Sequence, residues 1–151
     1  MKILVATDGS DHAVEAAARG LAVLGAPDTV TLLCVVHTPA VVSSGMESGL
    51  AGGMATPEVV DAARVSAKEE ADESIDRTVA GLPSGLDVER RVETGEPGLA
   101  VVAAAEEIGA DAIVIGSRGR GAIKRALLGS VSTHVVHNAP CPVLVVNSKD
   151  D

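Results

Sequence analysis

Apolar positions along the chain fall into two alternating patterns. Short, nearly continuous apolar runs occur at residues 2–7, 29–37, 111–116 and 141–147, and each breaks at Gly, Asp, Asn or Pro. Such runs suit strands buried on both faces, as in a parallel sheet with helices above and below. Between them the spacing turns helical. After Ser10, a predicted N-cap, Val14, Ala17, Leu21 and Leu24 recur at helical intervals, and Gly25 and Pro27 end the segment. Thr56 predicts a second cap with Pro57 in the first turn, and Val60, Ala63, Ala67, Ala71, Ile75, Val79 and Leu82 form the apolar stripe. The face carrying Lys68, Glu69, Glu70, Asp72 and Glu73 is expected to be solvated. Residues 97–108 and about 130–137 predict two further helices.

Residues 86–92 read differently. Leu86, Val88, Arg90 and Val92 alternate with polar residues, which predicts one wet face and a strand at a sheet edge. Residues 38–56 have no sustained period and are rich in Gly, Ser and Ala, so a mobile loop is expected there. Regular alternation of strand and helix gives the fold class: α/β, a single doubly wound domain over 1–151. Its five-stranded parallel sheet carries helices on both faces, in strand order 3-2-1-4-5.

Composition narrows the function. The 151 residues contain no Phe, Tyr or Trp, so Val, Leu, Ile and Ala must fill the core. That absence also removes stacking platforms for single-stranded nucleic acid, and a formal net charge of −9 disfavours binding a phosphate backbone. No apolar stretch is long enough to span a membrane, and the apolar run after Lys2 is too short for a signal-peptide core. A cytoplasmic protein is expected. Cys34 and Cys141 each sit in an apolar run and read as buried free thiols.

The candidate chemistry lies where doubly wound sheets bind ligands, beyond the carboxyl ends of strands one and four. After strand four the spacing is Gly116, two residues, Gly119, nine residues, Gly129 and Ser130. Glycines let backbone N–H groups approach a phosphate, and a helix opening at Ser130 presents free N–H groups and its positive dipole end. The hydroxyls of Ser130 and Ser132 can add hydrogen bonds. Arg118, Arg120, Lys124 and Arg125 lie close together, with no Asp or Glu from 112 to 149. A positive segment in an acidic protein fits an anionic ligand. The plainer alternative is a turn, a cap and an accidental basic run.

On these residues the chain resembles the universal stress protein family, in its ATP-binding subtype. The family's Gly-x2-Gly-x9-Gly-(Ser/Thr) motif is met at Gly116, Gly119, Gly129 and Ser130. "ILVATDGS" resembles its first strand and acidic turn, and "APCPVLVV" its last strand; Ala6 stands where relatives often carry Pro. The resemblance implies that Ala6, Thr7 and Asp8 border adenosine, with Asp8 near the base or ribose, and that Val36 meets adenine through its backbone. Without it, a helix-capping carboxylate is the alternative for Asp8. It further implies that Gly116, Ser117, Arg118, Gly119 and Arg120 wrap the ribose and phosphates. Gly129, Ser130, Val131 and Ser132 would hold the β- and γ-phosphates of ATP with Mg²⁺ or Mn²⁺; ADP or AMP is the alternative ligand. A homodimer through the last strand is implied as well.

The expected activity is that of a nucleotide-dependent stress-response switch. A Walker-type Gly-Lys-Ser/Thr sequence is missing, so at most weak ATP hydrolysis is expected. A slow ATP-hydrolysing or nucleotidyl-transferring enzyme, and a dimeric interaction module without nucleotide, are the alternatives. His134, His137 and Cys141 make a poor metal set, because Cys141 begins a strand beyond a proline. His12 and His37 are candidates to lie near the nucleotide but show no orienting partner, and Met46 and Met54 fall in the expected loop.

Overall fold

The strands and helices alternate along the whole of the chain that the computed structural model describes, residues 1–37, 56–119 and 128–147. They are β1 (Lys2–Ala6), α1 (Asp11–Leu24), β2 (Thr29–Val36), α2 (Pro57–Ala80), β3 (Val88–Thr94), α3 (Pro97–Ile108), β4 (Ala112–Gly116), α4 (Ser130–Asn138) and β5 (Val143–Val146). The sheet order is β3-β2-β1-β4-β5 and every pair is parallel. The expected α/β architecture and strand order are therefore present. The expected loop at 38–56, with Met46 and Met54, lies outside the described residues except for Thr56.

Alternation within each apolar run divides the core into two layers. Ile3, Val5, Val30, Leu32 and Val114 face α1 and α2 with Ala17, Leu21, Ala71 and Ile75. Leu4, Leu33, Ile113 and Ile115 face the other way, against Val101, Ala104 and Ala105 of α3 and Val135 of α4. With no aromatic side chain to fill the space, the helices come close on small residues. A Cβ on Gly20 of α1 would collide with Val114, and one on Gly98 of α3 would lie 2.9 Å from the His134 ring.

That close approach corrects the reading of α1. Its Ser10 cap is present, the hydroxyl accepting the Ala13 N–H at 3.2 Å. The buried face, however, is Ala13, Ala16, Ala17, Gly20 and Leu21; Val14 is only half-buried. Small residues let the helix settle on the sheet, and that selects the face more strongly than hydrophobicity alone.

α2 departs more. Thr56 caps it and Pro57 opens it, but Val60 and Ala63 are exposed, and full burial begins only at Ala71. A 24-residue helix is about 36 Å long, while the eight residues of β2 span about 26 Å. The first turns of α2 therefore overrun the carboxyl edge of the sheet. Periodicity registers the stripe but not the length of the sheet beneath it.

β3 is an edge strand as expected, yet its polar residues occupy both faces. Val88 and Val92 pack toward α2, where Arg90 pairs with Asp76. On the opposite face Arg91 pairs with Glu93 and with Glu107 of α3. The expected single wet face is replaced by two faces held by ion pairs. Cys34 is buried, whereas Cys141 is only partly so; both are free thiols, and burial pushes the Cys141 thiol up. Among the described residues no helix is long and apolar enough to cross a membrane.

Candidate functional site

β1 has β2 on one side and β4 on the other, so strand order reverses between β1 and β4. The turn after β1 leads to α1 on one face of the sheet, and the loop after β4 leads to α4 on the opposite face. The two connections part at the carboxyl edge and leave a crevice, as doubly wound sheets do at such a reversal. Here it is a cleft of about 850 Å³.

The turn after β1 is built tightly. The Thr7 N–H continues the ladder by donating to the Leu33 carbonyl at 2.9 Å. Its buried hydroxyl lies 2.7 Å from that of Thr78 in α2 and accepts the Gly9 N–H. Gly9 has φ +71°, and a Cβ there would lie 2.6 Å from the Ser74 Cα, so turn and helix touch backbone to backbone. Asp8 Oδ1 accepts the Ser10 N–H at 2.9 Å. The cap itself belongs to Ser10, and Asp8 fixes the residue that makes it. Asp8 Oδ2 points across the crevice, 2.7 Å from where a Cβ on Gly119 would be.

The loop after β4 is closed at its stem. The Ser117 N–H donates to the Val146 carbonyl of β5, and the Ser117 carbonyl accepts the Gly129 N–H at 2.7 Å. The Ser132 hydroxyl, 3.0 Å from the carbonyls of both Ser117 and Gly129, is turned inward to the same stem. This changes the expectation for Ser132: its hydroxyl serves the stem of the loop. The first helical bond of α4 runs from the Thr133 N–H to the Gly129 carbonyl, and no side chain among the described residues caps the helix. The N–H groups of Ser130, Val131 and Ser132 thus open the helix without an acceptor among the described residues. Together with the dipole they make a positive, donor-rich end.

The cleft gathers nearly all of the residues singled out from the sequence. Ala6, Thr7, Asp8 and Val36 line it from β1 and β2, and Gly116, Arg118 and Gly119 from the end of β4. Gly129, Ser130, Val131 and Ser132 line it from the start of α4. Ser117 is buried beneath, contributing backbone alone to the stem. Arg120, Lys124 and Arg125 lie outside the described residues. The Val36 carbonyl accepts the Gly95 N–H at 3.0 Å, which ties the end of β2 to the turn after β3.

Other walls were not foreseen. α2 contributes Ala67, Glu70, Ala71 and Ser74, and α3 contributes Pro97 and Val101. No local motif marks them, because they reach the cleft only through the sheet order. Of the two isolated histidines, His12 is exposed on α1, whereas His37 lines the cleft. His37 Nδ1 is 3.9 Å from Oε2 of Glu96, a contact between two exposed side chains that lies beyond hydrogen-bond distance. His134 packs on Gly98 in α3, and no group of three or more His, Cys, Asp or Glu is gathered among the described residues. The cleft thus has the donor-rich start of α4 at one end, a largely aliphatic bay at the other and the carboxylate of Asp8 between two loops.

Comparison with known proteins agrees with this fold. The family model described as "Universal stress protein family" matches residues 1–147. Universal stress protein YxiE of Bacillus subtilis is 36% identical over 149 residues, covering 96% of this chain and 97% of that protein. The solved structure of protein MJ0577 superposes with a TM-score of 0.79 at 30% identity, covering 99% of this chain and 97% of its own. A universal stress protein from Archaeoglobus fulgidus, solved in complex with dAMP, is 26% identical with a TM-score of 0.55, covering 96% of each chain.

Proposed function

The chain belongs to the universal stress protein family, and from that premise we propose that it binds an adenine nucleotide, ATP foremost, as a stress-response switch. The observation that carries the reading is the uncapped start of α4, which opens into the same cleft as Asp8 and the end of β2. The phosphates would take the N–H groups of Ser130, Val131 and Ser132, with Arg118 adding positive charge. Gly119 and Gly116 keep side chains out of the approach. The sugar would sit by Asp8, whose fixed carboxylate suits a hydroxyl donor, and the base would enter the apolar bay at the carboxyl end of β2. The relative solved with dAMP supports an adenine nucleotide as the ligand class.

The groups present suit binding better than turnover. Mg²⁺ or Mn²⁺ would enter with the phosphates, supplying charge neutralisation there. In this reading no side chain among the described residues is placed to activate a water, so hydrolysis would be slow. The protein would act in the cytoplasm as a homodimer paired through β5. Calorimetry with ATP and Mg²⁺ on the full chain tests the proposal: saturable binding is expected, and none at millimolar ATP overturns it.

A further inference from the structure

The cleft has a cradle for phosphates but little polar apparatus for a base. Its inner bay is mostly aliphatic, with Leu33 and Val35 of β2, Ala71 of α2, Val101 of α3 and Ile115 of β4, and with Glu70 and Ser74 of α2 as its polar side. The chain holds no Phe, Tyr or Trp. Among the described residues the one aromatic ring on the cleft wall is the imidazole of His37.

Three observations make that ring available to a base in the cleft. His37 directly follows Val36, whose carbonyl is held by the Gly95 N–H at 3.0 Å, so the backbone root of His37 is anchored to the β3–α3 turn. Its Nδ1 lies 3.9 Å from Oε2 of Glu96, which attracts one edge of the ring when it is protonated. The side chain is otherwise 61% exposed, leaving ring surface for a ligand to cover. We infer that His37 is the base-binding residue of the cleft, its imidazole stacking against the purine of the bound nucleotide.

This rests on the nucleotide reading and deepens it, because it separates recognition of the base from recognition of the phosphates. A base on an aromatic face gains area and π-contact that an aliphatic wall supplies less well. The α4 cradle holds the phosphates through backbone groups that His37 does not touch.

Calorimetry on the full chain with Mg²⁺-ATP and with Mg²⁺-tripolyphosphate, which has no base, separates the two. His37→Ala and His37→Leu are expected to weaken ATP about fivefold or more, and His37→Phe to stay within about twofold of the native affinity. Tripolyphosphate affinity is expected to be the same in all four proteins. If His37→Ala or His37→Leu binds ATP as tightly as the native chain, or His37→Phe is as weak as His37→Ala, the inference falls and the nucleotide reading stands. A parallel loss for tripolyphosphate would likewise overturn it, by assigning His37 to the phosphates. If the native chain binds neither ligand, both fall together.

Discussion

Asp8 and Gly119 meet across the crevice: Oδ2 of Asp8 lies 2.7 Å from the point a Cβ on Gly119 would occupy. One residue follows the first strand and the other the fourth, and only a glycine allows this carboxylate to stand between the two loops. Adding a methyl group at 119 pushes the carboxylate aside. Gly119→Ala is expected to weaken ATP binding tenfold or more (about 1.4 kcal/mol), and Gly119→Val to abolish it. Both should melt within a few degrees of the native chain, since Gly119 is exposed. Calorimetry beside a thermal melt checks this, and unchanged ATP affinity in Gly119→Ala would contradict it.

The two serines at the start of α4 are expected to behave differently, although the sequence presents them alike. Ser130 is exposed at the helix opening, so Ser130→Ala should cost binding about 1 to 2 kcal/mol, the worth of a hydrogen bond to a charged group. The Ser132 hydroxyl is buried and holds the Ser117 stem. Ser132→Ala should therefore cost fold stability, about 1 kcal/mol, visible as a shift in denaturant midpoint without ligand. Equal effects of the two changes on unliganded stability would show that the stem does not depend on Ser132.

This contrast shows how much could be read from the chain. The buried strands were legible because runs such as Ile3–Val5 and Ile113–Ile115 are covered on both faces whatever surrounds them. The anion cradle was legible because Gly116, Gly119, Gly129 and Ser130 are close in sequence, and the backbone chemistry they serve is local. The inward turn of Ser132 depends on a carbonyl fifteen residues away, which no spacing rule reports. Glu70 and Ser74 reach the cleft because α2, packed on β2, meets the turn after β1, and that is a property of the sheet order. The exposed Val59, Val60 and Val65 carry an apolar pattern over turns that have no sheet beneath them.

The edge strand β3 gives a pH signature. Hydrogen bonding from Arg91, and then its charge, hold the Glu107 carboxyl below its ordinary range. A depressed folded pKa stabilises the protein above the unfolded value, and the gain is lost as pH falls through the folded one. The native chain should thus melt higher than Glu107→Gln at neutral pH, by a small margin for so exposed a pair. The margin should close as pH drops below the ordinary carboxylate range. A difference that persists unchanged into strong acid would contradict the assignment.

Dimerisation through β5 can be tested at Val145, which is half-buried on the face shared with α4. A free edge with four consecutive apolar residues is a template for pairing with a second strand. Light scattering at tens of micromolar should give a dimer mass for the native chain. Val145→Lys should give a monomer with an unchanged circular dichroism spectrum. A monomeric native chain would contradict the pairing.

The central claim is that the cleft holds an adenine nucleotide, and the composition makes its direct measurement unusually clean. With no Phe, Tyr or Trp, the protein itself is nearly dark where adenine absorbs. The account predicts that protein purified without added ligand shows an adenine band. That band should co-elute with the protein and pass into the supernatant on acid precipitation, where chromatography identifies an adenine nucleotide. Protein lacking the band should acquire it on incubation with ATP and Mg²⁺ followed by desalting. A preparation that shows no band, acquires none, and gives no calorimetric signal at millimolar ATP would contradict the account, and the glycines after β4 would then make only a turn and a cap.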